Sequence, residues 1–172
     1  NLGWVGEKDI FSVTDKNFSK CPPSSISLDT EIISVVGIGL DGVQGLTPEA
    51  NSIVDKATIL AGGKRHLSYF ADRSAEKIYF SDLQLGIKAI ARLNLSQHSV
   101  VILASGDPLF FGLGRLLLAN FSVEQIKFYP HFSSVQLAFS RLKTPWQDAN
   151  LVSAHGRSTD ELIKLLKQGK EK

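Results

Sequence analysis

VVILASGDPLFFGLGRLLL, residues 100–118, decides the fold. The run Val100–Ala104 is apolar and rich in β-branched residues, with no polar alternation. Such a strand is buried on both faces, as in a parallel sheet covered by two layers of helices. It stops at Ser105-Gly106-Asp107-Pro108, and a helical pattern resumes in FGLGRLLLANF (111–121). A small residue followed by glycine lets the backbone approach a ligand closely at the sheet edge. Asp107 puts one charge where an ammonium, a ribose or a substrate proton can meet it, which makes it the candidate catalytic acid or base. Pro108 fixes the turn and is expected to start the next helix. Asp107 reads equally as a plain cap of that helix, and the two roles are compatible.

Outward from this stretch the same alternation repeats. EIISVVGIGL (31–40) reads as a buried strand ending in glycines, and ATILAGG (57–63) as a second one. EKIYF (76–80), EQIKFYP (124–130) and ANLVSAH (149–155) read as further strands. Between them, Thr47 caps a helix opened by Pro48 and Glu49, where the proline ring and the acid both suit a helix start. KRHLSYFAD reads as a helix. Ser81 or Asp82 caps DLQLGIKAIARL, whose Leu83, Ile87 and Ile90 recur at helical spacing. SSVQLAFSRL (133–142) and DELIKLLKQ, capped by Ser158 or Thr159, complete the set. Strands alternating with helices predict an α/β fold with a mostly parallel, doubly wound sheet carrying helices on both faces. Ligands of such sheets bind outside the carboxyl ends of the strands. Glycine, serine and one acid crowd the loops that leave those ends.

Bulk composition excludes several function classes. With 172 residues, 43% hydrophobic and 21% charged, the chain can bury one real core. A net charge of +2 with no basic block gives no reason to expect nucleic acid. Cys21 is the sole cysteine, so neither an internal disulfide nor a cysteine-based metal site is expected. That usage fits a reducing, cytoplasmic location. No apolar stretch reaches the ~20 residues of a membrane span, and no membrane partner is expected. Residues 1–30 have no clear period and read as a leader or linker. The chain holds no methionine, even at position 1, and reads as a piece of a longer protein.

Gly37-Ile38-Gly39-Leu40-Asp41-Gly42 has the G-x-G-x-x-G form of dinucleotide sites. Two features count against a nicotinamide or flavin oxidoreductase. The helix caps at Thr47, five residues past Gly42, and the second strand ends in LAGGK without the acid a ribose hydroxyl needs.

The ordered set VVGIGLDGVQGLTPEA, ILAGGKRHL, ILASGDPLFFGLG, YPHFSSVQLAFSRL and ANLVSAHGRS resembles the tetrapyrrole methyltransferases of corrin biosynthesis. Within that family, SSVQLAFSRLKTPWQDANLVSAHGR is similar to the branch that methylates carbon 5 of precorrin-7, with or without cobalt. The resemblance implies S-adenosyl-L-methionine as methyl donor, a precorrin-type tetrapyrrole as substrate, and a role in cobalamin biosynthesis. It implies an N-terminal α/β domain over 31–148 and a second α/β domain begun at 149–172, with the donor in the cleft between them. The chain alone is then expected to lack part of the site. It also implies a homodimer, and fusion to or association with a decarboxylating methyltransferase acting at carbon 15.

Residue by residue, the resemblance assigns Gly37, Gly39 and Leu40 to the first donor loop, with Leu40 where many relatives have proline. Ser105, Gly106 and Asp107 match the second donor loop, and Phe110 an apolar contact to the donor. Ser133 and Ser134 match a paired small-residue helix start, and also read as an ordinary cap. His131 and Phe132 replace a smaller pair. His155 and Arg157 are the implied substrate contacts, since an arginine grips a carboxylate in two places. His155 reads equally as a satisfied strand-end histidine, and Arg65 and His66 as plain surface residues. No metal site is implied. Transfer at another corrin or porphyrin carbon, a nucleotide-dependent oxidoreductase, and a binding module without turnover remain the alternatives.

Overall fold

The computed structural model describes residues 32–153 and 159–167. Five strands form one sheet: β1 (Ile33–Ile38), β2 (Ile59–Gly62), β3 (Glu76–Tyr79), β4 (Val100–Ser105) and β5 (Ile126–Tyr129). Their order is β3-β2-β4-β1-β5, and each neighbouring pair is parallel. The expected "mostly parallel" sheet is wholly parallel among the described residues. β1 and β4, the two most apolar runs, lie side by side in the interior. Ile33 is level with Val100 and Ile38 with Ser105, so their exits meet at one height.

Side chains alternate across the sheet and fill two cores. On one face Val36, Ile38, Leu60 and Leu103 pack with Ala50 and Val54 of α1 (Pro48–Asp55). Leu67 of α2 (Lys64–Ser68) and Phe70 join the same core. On the other, Ile33, Val35, Ile59 and Ile102 pack with Ile87 and Ile90 of α3 (Leu83–Ala91) and Leu117 of α4 (Leu113–Leu118). Connections leaving β1 and β2 thus cross one face, and those leaving β3 and β4 cross the other. This is the doubly wound arrangement, with right-handed crossovers on both sides.

The caps follow local chemistry. Thr47 Oγ1 accepts from the amide of Ala50 at 3.2 Å, with Pro48 in the first helical turn. Asp82, not Ser81, caps α3, its Oδ1 accepting from Leu85 at 2.8 Å. A carboxylate is the better partner for a helix's positive end. α5 (Ser134–Leu142) opens on a capping box. Ser133 Oγ accepts from the Gln136 amide at 3.2 Å, and Gln136 Oε1 accepts from the Ser133 amide at 2.8 Å. α6 spans Asp160–Lys167.

Three expectations change. Pro108 does not start a helix: residues 108–110 form a turn, Phe111 takes φ +54°, and α4 waits until Leu113. A left-handed phenylalanine cannot continue a right-handed helix. β5 begins at Ile126 because Val123–Gln125 close a 3-10 turn on Ser122. Residues 149–153 belong to no strand, as they lie outside the five-strand ladder that would hydrogen-bond them. The remainder of that expected strand lies outside the described residues, as does Ser158, one of the two caps expected for the last helix.

Candidate functional site

β1 and β4 are neighbours, yet the chain leaves them over opposite faces of the sheet. That makes their carboxyl ends a topological switch point, where the diverging loops open a crevice. A cleft of about 1020 Å³ lies there. Its volume reaches the upper end of the ~300–1,000 Å³ typical of small-molecule sites.

The floor of the cleft is knit from backbone. The Gly106 amide donates to Ile38 O at 2.9 Å, and the His131 amide donates to Gly106 O at 3.2 Å. One residue of the β4 exit, Gly106, therefore bridges the exits of β1 and β5. Glycine is required here for space and for conformation. A Cβ on Gly37 would collide with the Gly106 carbonyl oxygen and lie 2.7 Å from the His131 amide nitrogen. Gly106 itself adopts φ +57°, and a Cβ there would lie 3.0 Å from Ser133 Cα.

The wall of the cleft includes Gly39, Leu40, Ser105, Gly106, Asp107 and Phe110. Ser133 and Ser134 line it as well. Gly37 lies buried beneath this surface rather than on it. The donor-loop residues singled out in the sequence therefore come together, with Gly37 serving as the spacer that lets the loops meet. His155 and Arg157 lie outside the described residues.

Several side chains have defined partners. Asp107 Oδ1 accepts from the Leu109 amide at 2.9 Å, so this carboxylate shapes the 107–110 turn as well as facing the cleft. His131 pins the first loop. Its Nε2 donates to Gly45 O at 3.0 Å and stands 3.7 Å from Asp41 Oδ1. The glycine run passes into a 3-10 turn, Gly42–Gly45, before α1 begins at Pro48. The α1 N-terminus is therefore set apart from the glycine run, unlike the arrangement that cradles a pyrophosphate.

Sequence reasoning treated Arg65 and His66 as surface residues, yet both line the cleft. Arg65 Nη2 donates to Ser105 Oγ at 3.1 Å. Ser105 Oγ lies 3.0 Å and Arg65 Nη2 3.3 Å from His66 Nε2. Both neighbours can donate, so His66 presents Nε2 as an unprotonated acceptor. Burial, and then the Arg65 guanidinium, hold His66 below its ordinary pKa, consistent with a neutral ring. The available signal was positional: Arg65 and His66 follow a strand-ending glycine pair, as the other loop residues follow theirs. Among the described lining residues, Arg65 and Asp107 are the one permanent cation and the one acid. Most of the rest are apolar, including Phe80, Phe110, Phe111 and Phe132.

A doubly wound α/β domain with a largely apolar cleft of this volume, one cation and one acid in its lining and glycine-built walls suits a sizeable small molecule. Residues 33–171 match the tetrapyrrole (corrin/porphyrin) methylases, and the chain belongs to that family. It is 42% identical over 130 residues to a decarboxylating precorrin-6Y C(5,15)-methyltransferase of Sinorhizobium sp, covering 74% of this chain and 31% of that protein. It is 39% identical over 127 residues to a cobalt-precorrin-7 C(5)-methyltransferase of Salmonella typhimurium, covering 73% of this chain and 62% of that one. A solved structure, a precorrin-6Y methylase from Archaeoglobus fulgidus, superposes with a TM-score of 0.60 at 27% identity, over 76% of this chain and 68% of the other. The chain thus spans about a third of the first relative and about three-fifths of the second.

Proposed function

We propose that this chain is the donor-binding portion of an enzyme that transfers a methyl group from S-adenosyl-L-methionine to carbon 5 of precorrin-7 or cobalt-precorrin-7 in cobalamin biosynthesis. The observation that carries the reading is the cleft at the β1/β4 switch point, where Gly39, Gly106, Asp107 and Ser133 share one wall. The two relatives named for carbon 5 give the reading its substrate class.

The residues present suit the donor. It carries no phosphate, so close backbone approach matters more than a helix terminus. Gly37 and Gly106 provide that approach, because any larger residue would part the loops. Asp107 offers an acceptor for the donor's ammonium or ribose hydroxyls, and the apolar wall suits its adenine. When bound, S-adenosylmethionine supplies a methyl group on a positively charged sulfur that departs as a neutral thioether.

The protein's part is alignment. The cleft must hold a macrocycle carbon about 3–3.5 Å from the methyl, in line with the bond that breaks. A rigid floor fixed by the Gly106–Ile38 and His131–Gly106 hydrogen bonds is suited to that task. The ring carbon is part of an enamine-like system and is already nucleophilic, so a strong base is unnecessary. In this reading Asp107, the one acid among the described lining residues, takes up a proton afterwards. Residues 149–172 fit the beginning of a second domain that would close the cleft from the far side. Fusion to a carbon-15 methyltransferase is part of the same proposal, as is assembly as a homodimer.

The test is transfer itself. The full-length protein, holding this chain together with the second domain the reading requires, is incubated with methyl-labelled S-adenosylmethionine and cobalt-precorrin-7 or precorrin-7, and the product is read by mass and by carbon NMR. One added methyl at carbon 5 supports the reading. Label at another carbon, or none with either macrocycle, refutes it.

A further inference from the structure

We propose that Arg65, oriented by Ser105 and His66, is the seat for a carboxylate on the rim of the macrocycle. This rests on the methyltransferase reading above and adds a substrate-recognising residue to it.

The cluster joins the exits of β2 and β4, one strand outward from the β1/β4 floor. The two hydrogens of Arg65 Nη2 face Ser105 Oγ and His66 Nε2, both neutral acceptors. Among the described residues, the pairs of a permanent cation with a carboxylate are Arg73–Asp55 and Lys127–Glu49, and neither includes Arg65. The guanidinium lines the cleft, and no carboxylate among the described residues pairs with it. Its Nε and Nη1 donors have no protein acceptor among the described residues.

Neighbouring carboxylates usually neutralise an arginine used only for structure. This one is instead held at Nη2 by neutral groups, which fix its plane and leave its charge for an incoming anion. Arg65 is also exposed at the cleft margin, where the edge of a bulky substrate would pass. A precorrin carries acetate and propionate groups around that edge. The donor has a carboxylate too, so the chemistry is shared and the experiment separates the two sources.

The protein is compared with Arg65→Gln and Arg65→Lys by equilibrium dialysis. The probes are cobyrinic acid, its heptamethyl ester and S-adenosylhomocysteine. Thermal unfolding of each variant serves as the folding control. Losing a charge-assisted hydrogen bond weakens binding by roughly ten- to a hundred-fold. We expect that loss for cobyrinic acid with Arg65→Gln and a smaller loss with Arg65→Lys, which keeps the charge without the fork. The ester and S-adenosylhomocysteine should change less than about twofold. Equal weakening of acid and ester overturns the proposal, as does no weakening of either. Weakening of S-adenosylhomocysteine alone also overturns it and gives Arg65 to the donor. If the unaltered protein binds S-adenosylhomocysteine but no corrin, the carboxylate seat fails alone. If it binds neither, the methyltransferase reading fails with it.

Discussion

Replacing Gly37 with alanine tests whether the cleft depends on three loops meeting at one residue, Gly106. The added methyl would press on the Gly106 carbonyl oxygen and sit 2.7 Å from the His131 amide nitrogen. Ordinary contact is ~3.5 Å, so the nearer loops must retreat by about 0.8 Å or more. Both obstacles are backbone, so no rotamer change relieves them. Overpacking of this kind costs roughly 1–3 kcal/mol. The retreat would also stretch the His131–Gly106 bond, now 3.2 Å, and the Gly106–Ile38 bond, now 2.9 Å. Losing one of them adds about 1 kcal/mol. The sum of roughly 2–4 kcal/mol corresponds to a fall in Tm of roughly 5–15 °C for a chain of this size. A misplacement approaching 1 Å can slow transfer on the order of a hundred-fold. Gly63 is the control on the same sheet edge. It has φ −68°, and a Cβ there would meet only His66 Nδ1, at 3.8 Å. Gly63 is also the N-cap of α2, where alanine is poorer than glycine, so Gly63→Ala should shift stability by no more than about 1 kcal/mol, well short of Gly37→Ala. Thermal unfolding by circular dichroism reads both variants. A Gly37→Ala protein as stable as the original, or a Gly63→Ala protein that is equally damaged, would refute the packing account.

Two further outcomes follow from the same geometry. Ser133→Ala removes one half of the α5 capping box and should cost about 1 kcal/mol in denaturant unfolding. A Ser133→Asp variant, which restores an acceptor, should recover most of that loss. For His66, the folded pKa lies below the unfolded value of 6.5. The unfolded chain therefore binds a proton that the folded one refuses, so this group makes stability rise with pH and level off above about 6.5. Subtracting the Tm-against-pH curve of His66→Asn from that of the unaltered protein should isolate this rise. A difference curve that falls with pH, or stays flat between pH 5 and 7, would contradict it.

The layers of the fold were legible because burial on both faces leaves a mark. Val100–Ala104 can be apolar throughout, and Ile33–Ile38 apolar but for Ser34, only beneath two helix layers. Helix starts were legible where a side chain does the capping, as at Thr47 and Ser133. Strand order was not, because no local pattern states that β4 inserts between β1 and β2. The turn at Phe111 was hidden for a different reason. Phenylalanine carries no signal for a left-handed backbone, which tertiary packing imposes. Residues 149–153 have strand-like composition, but composition cannot supply a ladder partner. Of the candidate site, the rule that ligands gather at strand carboxyl ends located the Gly39, Ser105 and Ser133 loops. Arg65 escaped because its partner Ser105 lies forty residues away in sequence, and a cation beside a loop looks like any solvated one.

The most direct test of the central claim is a nitrogen-15 amide spectrum of the chain titrated with S-adenosylhomocysteine, which registers even weak occupancy of a site. The account predicts that the largest shifts fall on Gly39, Leu40, Gly106, Asp107 and Ser133. Thr58 and Ser99, at the amino ends of β2 and β4, should stay still. Shifts centred on Thr58 and Ser99, or no shifts at millimolar ligand, would contradict it.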